Sequence, residues 1–390
     1  MEPRERDGFL PFCEPLIGNE EIEAVVRCLR SGWLTTGHQV QAFERDFAEF
    51  IGCEHALAVN SCTAALHLAL EAVGVGPGDE VITSPMTFAA TAAVILHLGA
   101  RPVLVDCEAS TLNIDPNGIE ERISERTRAI VPVHFAGQPC DMDAIMRIAR
   151  ARGVPVVEDA AHALPARDHG RMIGTIGDIT CFSFYATKNV TTGEGGMAVT
   201  GRDVYAERMR VMHLHGMSRD AWKRYGKDGS WSYDILAPGF KYNLTDIAAS
   251  IGIHQLRRCE SFHARRRAIV RRYAEGLRDL PGIALPEARD EAGHAWHLYV
   301  IRVRPERLDL DRDAFIRCLM ARNIGVSVHF IPVHLHPFYR YRFGYKPEDF
   351  PNAFAASREI ISLPLYPKMT DDDVEDVIAA VRGVAMEHER

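Results

Sequence analysis

The chain has 390 residues, of which 47% are hydrophobic and 25% are charged, and its formal net charge is −8. A chain of this length favours two or three domains at about 150 residues each. The acidic balance argues against a nucleic-acid-binding protein, which would carry a basic stripe, and no apolar run approaches the roughly 18 residues of a transmembrane helix.

The cysteines and the N-terminus bear on the cellular compartment. The nine cysteines are dispersed, and no two of them form a CxxC pair. An odd, dispersed set in a chain of this length is typical of reduced thiols rather than of a disulfide framework or a zinc site. The N-terminal segment also lacks the apolar core of a signal peptide. We therefore expect a cytoplasmic protein.

Two amphipathic helices are predicted at the start of the chain. The first covers 18–30, with Asn19 as its cap, and the second covers 40–51. The apolar face predicted for the first helix consists of Ile22, Val25, Val26 and Leu29. The turn-rich segment 31–37 between the helices contains Trp33, which is either a packing anchor or part of a loop at the mouth of a pocket.

From residue 55 onward, short apolar strands alternate with helices. The predicted strands are 55–60, 80–84, 102–106, 129–134, 154–159 and 179–184. Their alternation with helices predicts an α/β fold, with a mostly parallel sheet that is covered by helices on both faces. In such sheets, ligands bind outside the carboxyl ends of the strands. The residues that follow each strand are therefore the candidate site residues.

Two of these segments have two interpretations each. Ser61-Cys62-Thr63 opens a helix, so its amides and hydroxyls suit a phosphate, although Ser61 is alternatively only the helix cap. Phe88 either stacks on a flat ring or belongs to the core. His134, after another strand, is a further polar candidate.

Asp159 is the last residue of the strand predicted at 154–159, and His162 follows that strand. A carboxylate at the end of an apolar strand needs a cationic or N–H partner, because burying it alone is costly. A protonated pyridine nitrogen is one such partner, and capping of the next segment is the alternative. His162 lies three residues further on, and it either flanks the same ring or is a core histidine.

Ser183 lies near the end of the apolar run 179–184, and Lys188 follows five positions later, ahead of the glycine-rich segment 193–196. A loop lysine is usually solvated. The alternative is a desolvated amine that forms a Schiff base with an aldehyde cofactor.

The remainder of the chain predicts a second unit. After a helix at 201–214 and a long polar loop at 215–241, which we expect to be functional or mobile, one helix is predicted over 245–277. Beyond it, strands are predicted at 294–303 and 324–330, and helices at 310–323 and 374–385. We expect a large α/β domain at 1–255 and a smaller α+β domain at 256–390.

Two cofactor classes are disfavoured by their spacing. The three histidines within 329–336 match no metal-site pattern, so we expect no metal. The glycines of 74–78 precede their strand instead of following it, so they are not the fingerprint of a dinucleotide-binding dehydrogenase.

The chain resembles the DegT/DnrJ/EryC1/StrS family of PLP-dependent sugar aminotransferases in seven segments, in this order: SGWLTTG, VNSCTAALHLAL, GPGDEVITSPMTFAATA, VPVVEDAAHA, GDITCFSFYATKNVTTGEGGM, KYNLTDIAASIG and HAWHLYVIRV. The likeness extends from about residue 8 to about residue 385 and implies the fold-type I aminotransferase fold. GFKYNLTDI and the loop before it resemble most the nucleotide-sugar C4 aminotransferases, including the UDP-4-amino-4-deoxy-L-arabinose type.

The resemblance implies roles for the cofactor-facing residues. Lys188 matches the lysine that holds pyridoxal phosphate (PLP) as a Schiff base and then shuttles protons. Asp159 matches the carboxylate that keeps the ring nitrogen protonated, as the electron-sink chemistry requires. His162 matches the residue beside the phenolic oxygen, and Phe88 matches the aromatic that stacks on the ring.

Further residues are implied for the phosphate and the substrate. Those of the phosphate cup are Cys62, Thr63, Ser183 and, from the other subunit, Asn243, which implies a homodimer with shared active sites. Those of the substrate pocket are Thr36, Tyr185, Lys241 and His329. Most relatives have SGT or SAT where this chain has Ser61-Cys62-Thr63, so we expect a free thiol near the phosphate.

The resemblance implies transamination of a 4-keto nucleotide sugar with an amino-acid donor, L-glutamate. Lys188 stands where dehydratases of the family carry histidine, which favours transamination. One alternative is an aminotransferase for another keto sugar or a keto-cyclitol of antibiotic biosynthesis. Another is a non-catalytic PLP-binding sensor or regulator, although no basic DNA-reading module is present in the sequence.

Overall fold

The computed structural model describes residues 6–218, 233–289 and 293–390. The central part of the predicted loop 215–241, residues 219–232, lies outside this description. Within the described ranges, no helix is both long enough and apolar enough to cross a membrane.

The main sheet is formed by the strands of the first 200 residues. They are β1 (His55–Val59), β2 (Glu80–Thr83), β3 (Arg101–Leu104), β4 (Thr127–Val131), β5 (Val157–Asp159), β8 (Ile179–Ser183) and β9 (Gly196–Thr200), with a small hairpin of β6 (Arg167–Asp168) and β7 (Arg171–Met172) outside it. Their order is β1-β9-β8-β5 and β3-β2-β4, and isolated parallel bridges near β4 and β5 connect the two halves. Of these seven strands, β9 alone runs antiparallel to its neighbours. The predicted mostly parallel sheet is confirmed.

Helices cover both faces of this sheet. They are α1 (Asn19–Ser31), α2 (His38–Ile51), α3 (Cys62–Ala72), α4 (Ala89–His97), α5 (Pro116–Arg122), α6 (Met142–Arg152), α7 (Asp203–Met212), α8 (Asp246–Arg257) and α9 (Cys259–Leu277). Successive strand residues point to opposite faces. Accordingly, Ala56 and Ala58 of β1 pack in one apolar cluster with α2, whereas Leu57 and Val59 pack in another with α3.

Helix α1 buries a different face from the one that its apolar pattern predicts. Ile22, Val26 and Leu29 are 54%, 37% and 51% exposed. The helix is held instead by Glu21, whose fully buried carboxylate accepts hydrogen bonds from Gln255 at 2.9 Å and from Arg258 at 3.1 Å. Gly18, not Asn19, is the cap. A polar contact thus turns the apolar stripe outward.

The C-terminal part of the chain builds a second core around an antiparallel sheet. Its elements are β10 (Ile283–Ala284), β11 (Tyr299–Val303), β12 (Ile360–Leu363), α10 (Arg312–Ala321), α11 (Pro337–Phe343), α12 (Pro351–Ser357) and α13 (Asp371–Glu387). Leu10 from the N-terminal segment packs into this core. The domain boundary at 255/256 stays a prediction.

Two predicted elements of this region are wrong. The single helix at 245–277 is interrupted at Arg258, which separates α8 from α9. The segment 324–330 is not a strand, because its only pairings among the described residues are isolated bridges from Ile324 to Leu10 and from Ser327 to Ser362. Its last residues turn towards a cavity instead of continuing along a sheet.

Truncation of Phe47 should destabilise the main core. Its ring is fully buried and lies 5.2 Å from that of Phe182 and 5.5 Å from that of Phe184. Because Phe47→Ala would leave a cavity, we expect a loss of about 3–5 kcal/mol in the free energy of unfolding, measured with urea. Tyr341→Ala, at an 89% exposed aromatic, should change it by less than about 0.5 kcal/mol. Equal effects of the two variants would contradict this packing.

Candidate active site

The carboxyl ends of β5 and β8 open onto a cavity of about 550 Å³. The predicted site residues that line it are Cys62, Thr63, Phe88, Asp159, His162, Ser183, Tyr185, Lys188 and His329. They come from five separate segments of the sequence, which the fold brings to one edge of the sheet. The cavity therefore lies where ligands bind in parallel α/β sheets.

Lys188 lies on the turn that follows β8, with its side chain half-buried. Burial disfavours the charged ammonium and lowers the pKa of Lys188 to about 8, although the nearby Cys62 and Asp159 oppose this shift. A fully solvated loop lysine would not show this displacement. Half of the amine is thus uncharged, and nucleophilic, at about pH 8.

Asp159 is buried at the end of β5. Its Oδ2 accepts a hydrogen bond from Thr91 Oγ1 at 2.7 Å, and its Oδ1 accepts one from the amide of Ala161 at 3.2 Å. Burial raises the pKa of Asp159, and these two donors together with Lys188 act in the opposite direction. The carboxylate therefore caps the next segment and also faces the cavity.

His162 has a buried ring nitrogen without a partner. Its Nδ1 makes no hydrogen bond to any described residue. The ring is stacked against Phe330, with 5.7 Å between centroids, and it contacts His297 at 4.4 Å. Burial lowers the pKa of His162 well below its usual value, so the imidazole is neutral. Because His162 lines the cavity, this nitrogen is available to a polar atom of a ligand.

The start of α3 forms the base of the cavity. The Ser61 hydroxyl accepts a hydrogen bond from the amide of Ala64 at 3.1 Å. Ser61 is thus the helix cap, which was one of its two interpretations. The first amides of the helix have no acceptor within it, so they can bind an anion. A Cβ atom on Gly196 would lie 2.5 Å from the backbone of Ser61. Glycine therefore permits the close approach of β9 to this helix start.

The thiol of Cys62 is bonded to the protein. Its Sγ is buried and donates to the carbonyl of Cys181 at 3.6 Å. Burial raises the pKa of the Cys62 thiol well above its usual value, so the thiolate is disfavoured. The expected thiol near the phosphate cup is thus an unreactive packing group.

Phe88 is the cap residue of α4 and is 64% exposed. It is therefore not the core residue that one interpretation predicts. Its ring lies 6.1 Å from Phe330 on the cavity wall. His329 is held by a 2.9 Å hydrogen bond between its Nδ1 and Ser362 Oγ and by stacking on Phe12 at 5.3 Å. Aromatic surfaces thus dominate one side of the cavity.

Thr36, Lys241 and Asn243 do not line this cavity but form a separate cluster. The amide nitrogen of Asn243 donates to Thr36 Oγ1 at 2.7 Å, and its Oδ1 accepts from the Lys241 ammonium. Thr36 in turn donates to the carbonyl of Leu244 at 2.6 Å. The Thr36 hydroxyl is therefore occupied by the protein itself.

Two other candidates from the sequence are structural. His134 is fully buried, and its Nε2 donates to Glu158 at 2.9 Å, because its Nδ1 already accepts from the amide of Cys140. Trp33 is half-buried and donates from its indole to the carbonyl of Thr36 at 3.1 Å. Neither residue lines the cavity.

Sequence reasoning missed Thr91, His297 and Phe330, which all line the cavity. His297 lies in the segment HAWHLYVIRV, and its Nδ1 is bonded to the side-chain oxygen of Asn189 at 3.1 Å. Phe330 directly follows His329. Thr91 lies in a helix, where no sequence pattern sets its hydroxyl apart from that of any other threonine.

The fold and this site define a PLP-dependent aminotransferase. The sequence matches the profile of the DegT/DnrJ/EryC1/StrS aminotransferase family over residues 15–382. The chain therefore belongs to this family, and the resemblance seen in the seven sequence segments is confirmed.

Individual relatives agree with this assignment. The spore coat polysaccharide biosynthesis protein SpsC of Bacillus subtilis (strain 168) is 54% identical over 382 residues, which cover 98% of each chain. Spr1654 of Streptococcus pneumoniae, named as a sugar aminotransferase, is 36% identical and superimposes with a TM-score of 0.90 over 97% of this chain and 99% of its own, in both PLP and PMP forms. DesI, solved in the presence of its TDP-sugar product, is 30% identical with a TM-score of 0.86, over 97% and 93% of the two chains.

The cofactor of this family is PLP, and the cavity suits it. The unpartnered His162 Nδ1 and the buried Asp159 carboxylate offer polar partners for the atoms of a planar ring. The exposed face of Phe88 offers a stacking surface, and the start of α3 offers amides for a phosphate.

Gly196→Ala should weaken the binding of PLP. The added methyl group would overlap the Ser61 backbone, and overpacking of this kind costs about 1–3 kcal/mol. We expect a dissociation constant that rises roughly tenfold, measured by titrating the apoprotein with PLP. Gly201→Ala is the matched control, since nothing lies within 4 Å of its added carbon. An unchanged affinity in Gly196→Ala would contradict the phosphate site.

The attachment of PLP to the apoprotein should depend on the pKa of Lys188. Only the uncharged amine attacks an aldehyde, so the rate should rise with pH up to about 8 and then level off. An ordinary lysine would give a rise that continues to about pH 10.4. Stopped-flow absorbance of apoprotein mixed with PLP measures this profile, and a midpoint near that of ordinary lysine would show that Lys188 is solvated.

Proposed function

We propose that this protein transfers an amino group from an amino acid, L-glutamate, to the C4 keto group of a nucleotide-linked sugar. The observation that carries the proposal is one cavity in which a lysine with a lowered pKa, a buried carboxylate and a neutral histidine meet. These groups match what proton transfer at a PLP-bound substrate requires.

Each residue has a distinct task in this proposal. PLP, when bound, supplies an electron sink for the carbon that loses its proton. Lys188 would hold the cofactor through its Nζ and would carry a proton on the same atom. Asp159 would stabilise the positive charge of the ring nitrogen, and His162 Nδ1 would bond the phenolic oxygen. Phe88 would cover one face of the ring.

A nucleotide sugar is supported by the relatives, and two polar aromatic residues line the cavity where a sugar would bind. DesI was solved in the presence of its TDP-sugar product, and the name of SpsC assigns it to polysaccharide biosynthesis. In this chain, Tyr185 is 46% exposed beside the cavity and His329 faces it from the opposite segment. The C4 position rests on the resemblance of the segment GFKYNLTDI.

We propose a homodimer in which each subunit completes the site of the other. Among the described residues of the cavity, Lys188 is the only lysine or arginine, yet a cofactor phosphate, a nucleotide diphosphate and a donor with two carboxylates all need cations. The exposed cluster that contains Lys241 and Asn243 offers one positive charge and an amide. The partner's copy of this cluster would bring them to the phosphate and the substrate. In this arrangement, Thr36 positions Asn243 and does not contact the substrate.

The exposed face of α1 supports association of subunits. Ile22, Val26 and Leu29 form an apolar patch on one helix, and contiguous apolar surface commonly marks an interface.

The cysteines are all free, which supports a reducing compartment, and we propose the cytoplasm.

Substrate identity should be resolved by a panel of acceptors. With L-glutamate as donor, we expect 2-oxoglutarate to form with 4-keto nucleotide sugars and not with free keto sugars or keto-cyclitols. Lys188→Ala should lower the rate by roughly 10²–10⁴-fold, because it removes the proton-transferring amine. Lys368→Ala, at a half-exposed lysine paired with Glu14, is the control and should retain activity. Turnover of Lys188→Ala at the wild-type rate would refute the assignment.

Shared active sites should give complementation between two inactive variants. Asn243→Asp places a negative charge at the proposed phosphate contact, and Lys188→Ala removes the amine. In a hybrid dimer, one site has both native residues, so refolding the two chains in equal amounts should restore about a quarter of wild-type activity. Differently tagged chains allow the hybrid to be purified. A purified hybrid without activity would exclude the shared arrangement.

A further inference from the structure

Two threonines near the start of α4 lie against the carboxylate of Asp159. Thr91 Oγ1 donates to Asp159 Oδ2 at 2.7 Å, and Thr87 Oγ1 lies 2.7 Å from Thr91 Oγ1. Thr87 and Thr91 are 2% and 1% exposed, and both line the cavity. The three side chains form a short chain of hydrogen bonds that is shielded from bulk water.

The chemistry of the groups fixes the direction of this chain. An ionised carboxylate only accepts hydrogen bonds, so the Thr91 hydroxyl must be the donor in its bond to Asp159. The Thr91 oxygen then accepts from Thr87. Hydrogen bonds that point the same way polarise one another. The bond from Thr87 therefore strengthens the hydrogen bond that Thr91 donates to Asp159.

The same helix start also carries Phe88. Phe88 caps α4 three residues before Thr91, and the Thr91 amide donates to the Phe88 carbonyl at 3.3 Å. Because residues three apart lie on one side of a helix, one turn presents both the exposed aromatic ring and the hydroxyl that bonds Asp159. A shift of this turn would move both together.

Asp159 has few other groups to stabilise its charge. Burial favours the neutral acid, and the hydrogen bond from Thr91 is the foremost opposing influence, ahead of the Ala161 amide and of the more distant Lys188 and His134. Removal of the Thr91 hydroxyl would leave Oδ2 without the donor that it has now.

We propose that Thr91, supported by Thr87, is a positioning residue that keeps Asp159 ionised and fixes the plane of its carboxylate towards the ring nitrogen of PLP. The inference rests on the proposed role of Asp159. Thr91 acts through Asp159 and does not itself touch the reacting atoms.

The test compares hydroxyl deletions at matched buried threonines. Thr91→Val removes the hydroxyl with little change in volume, Thr91→Ser restores it, and Thr87→Val removes only the outer link. Thr83→Val is the control, because Thr83 is equally buried but donates to the Val131 carbonyl outside the cavity. Two readouts are measured for each: the dissociation constant of PLP from the apoprotein and the position of the visible absorption band of the loaded protein.

We expect Thr91→Val to weaken PLP binding by roughly tenfold or more, as for the loss of a hydrogen bond to a charged group, and to shift the visible band. Thr87→Val should give a smaller change in the same direction, and Thr91→Ser should be close to wild type. Thr83→Val should alter thermal stability alone.

Asp159→Asn separates this inference from the proposed function. If Asp159→Asn weakens PLP binding and shifts the band while Thr91→Val behaves like Thr83→Val, the role of Thr91 is wrong and that of Asp159 stands. If Asp159→Asn changes neither readout, the role of Asp159 is wrong, and the inference falls with it.

Discussion

The removal of charged groups from water at the edge of a parallel sheet is the constraint on which this structure depends. Asp159 ends β5 and Lys188 follows the neighbouring strand β8, and the carboxyl ends of both strands meet at one cavity. Burial there lowers the pKa of the amine to about 8 and raises that of the carboxyl group. On a solvent-exposed loop, hydration would keep both pKa values near those of the free side chains, so the two shifts depend on burial at this edge.

The surroundings of the cavity serve to keep these groups in place. Thr91 and the Ala161 amide bond the Asp159 carboxylate, and Gly196 allows β9 to approach the start of α3. The unpartnered nitrogen of His162 is an energetic cost that the protein alone does not offset. Such costs are expected where a ligand completes the hydrogen bonding. The arrangement is thus one that a bound ring stabilises.

The alternation of strands and helices was sufficient to predict the sheet, because strand period is a local property. The polar residues at the strand ends were sufficient to predict that Asp159, His162 and Lys188 line one cavity. The face of α1 could not be predicted, since its orientation depends on a contact between Glu21 and the distant Gln255 and Arg258. The hydrogen bond that joins Thr36 to Asn243 in a separate cluster could not be predicted either, because the two residues are far apart in the sequence. Thr91 could not be predicted, because no sequence pattern identifies a helical threonine whose hydroxyl bonds a carboxylate.

The absorption spectrum of the purified protein, before and after L-glutamate is added, tests the central claim most directly. We expect a yellow protein whose visible band disappears with L-glutamate and returns with 2-oxoglutarate, because the amine of Lys188 would hold and then release the cofactor aldehyde. A protein that PLP cannot colour, or a Lys188→Ala variant with the same spectrum and the same response, would contradict the account.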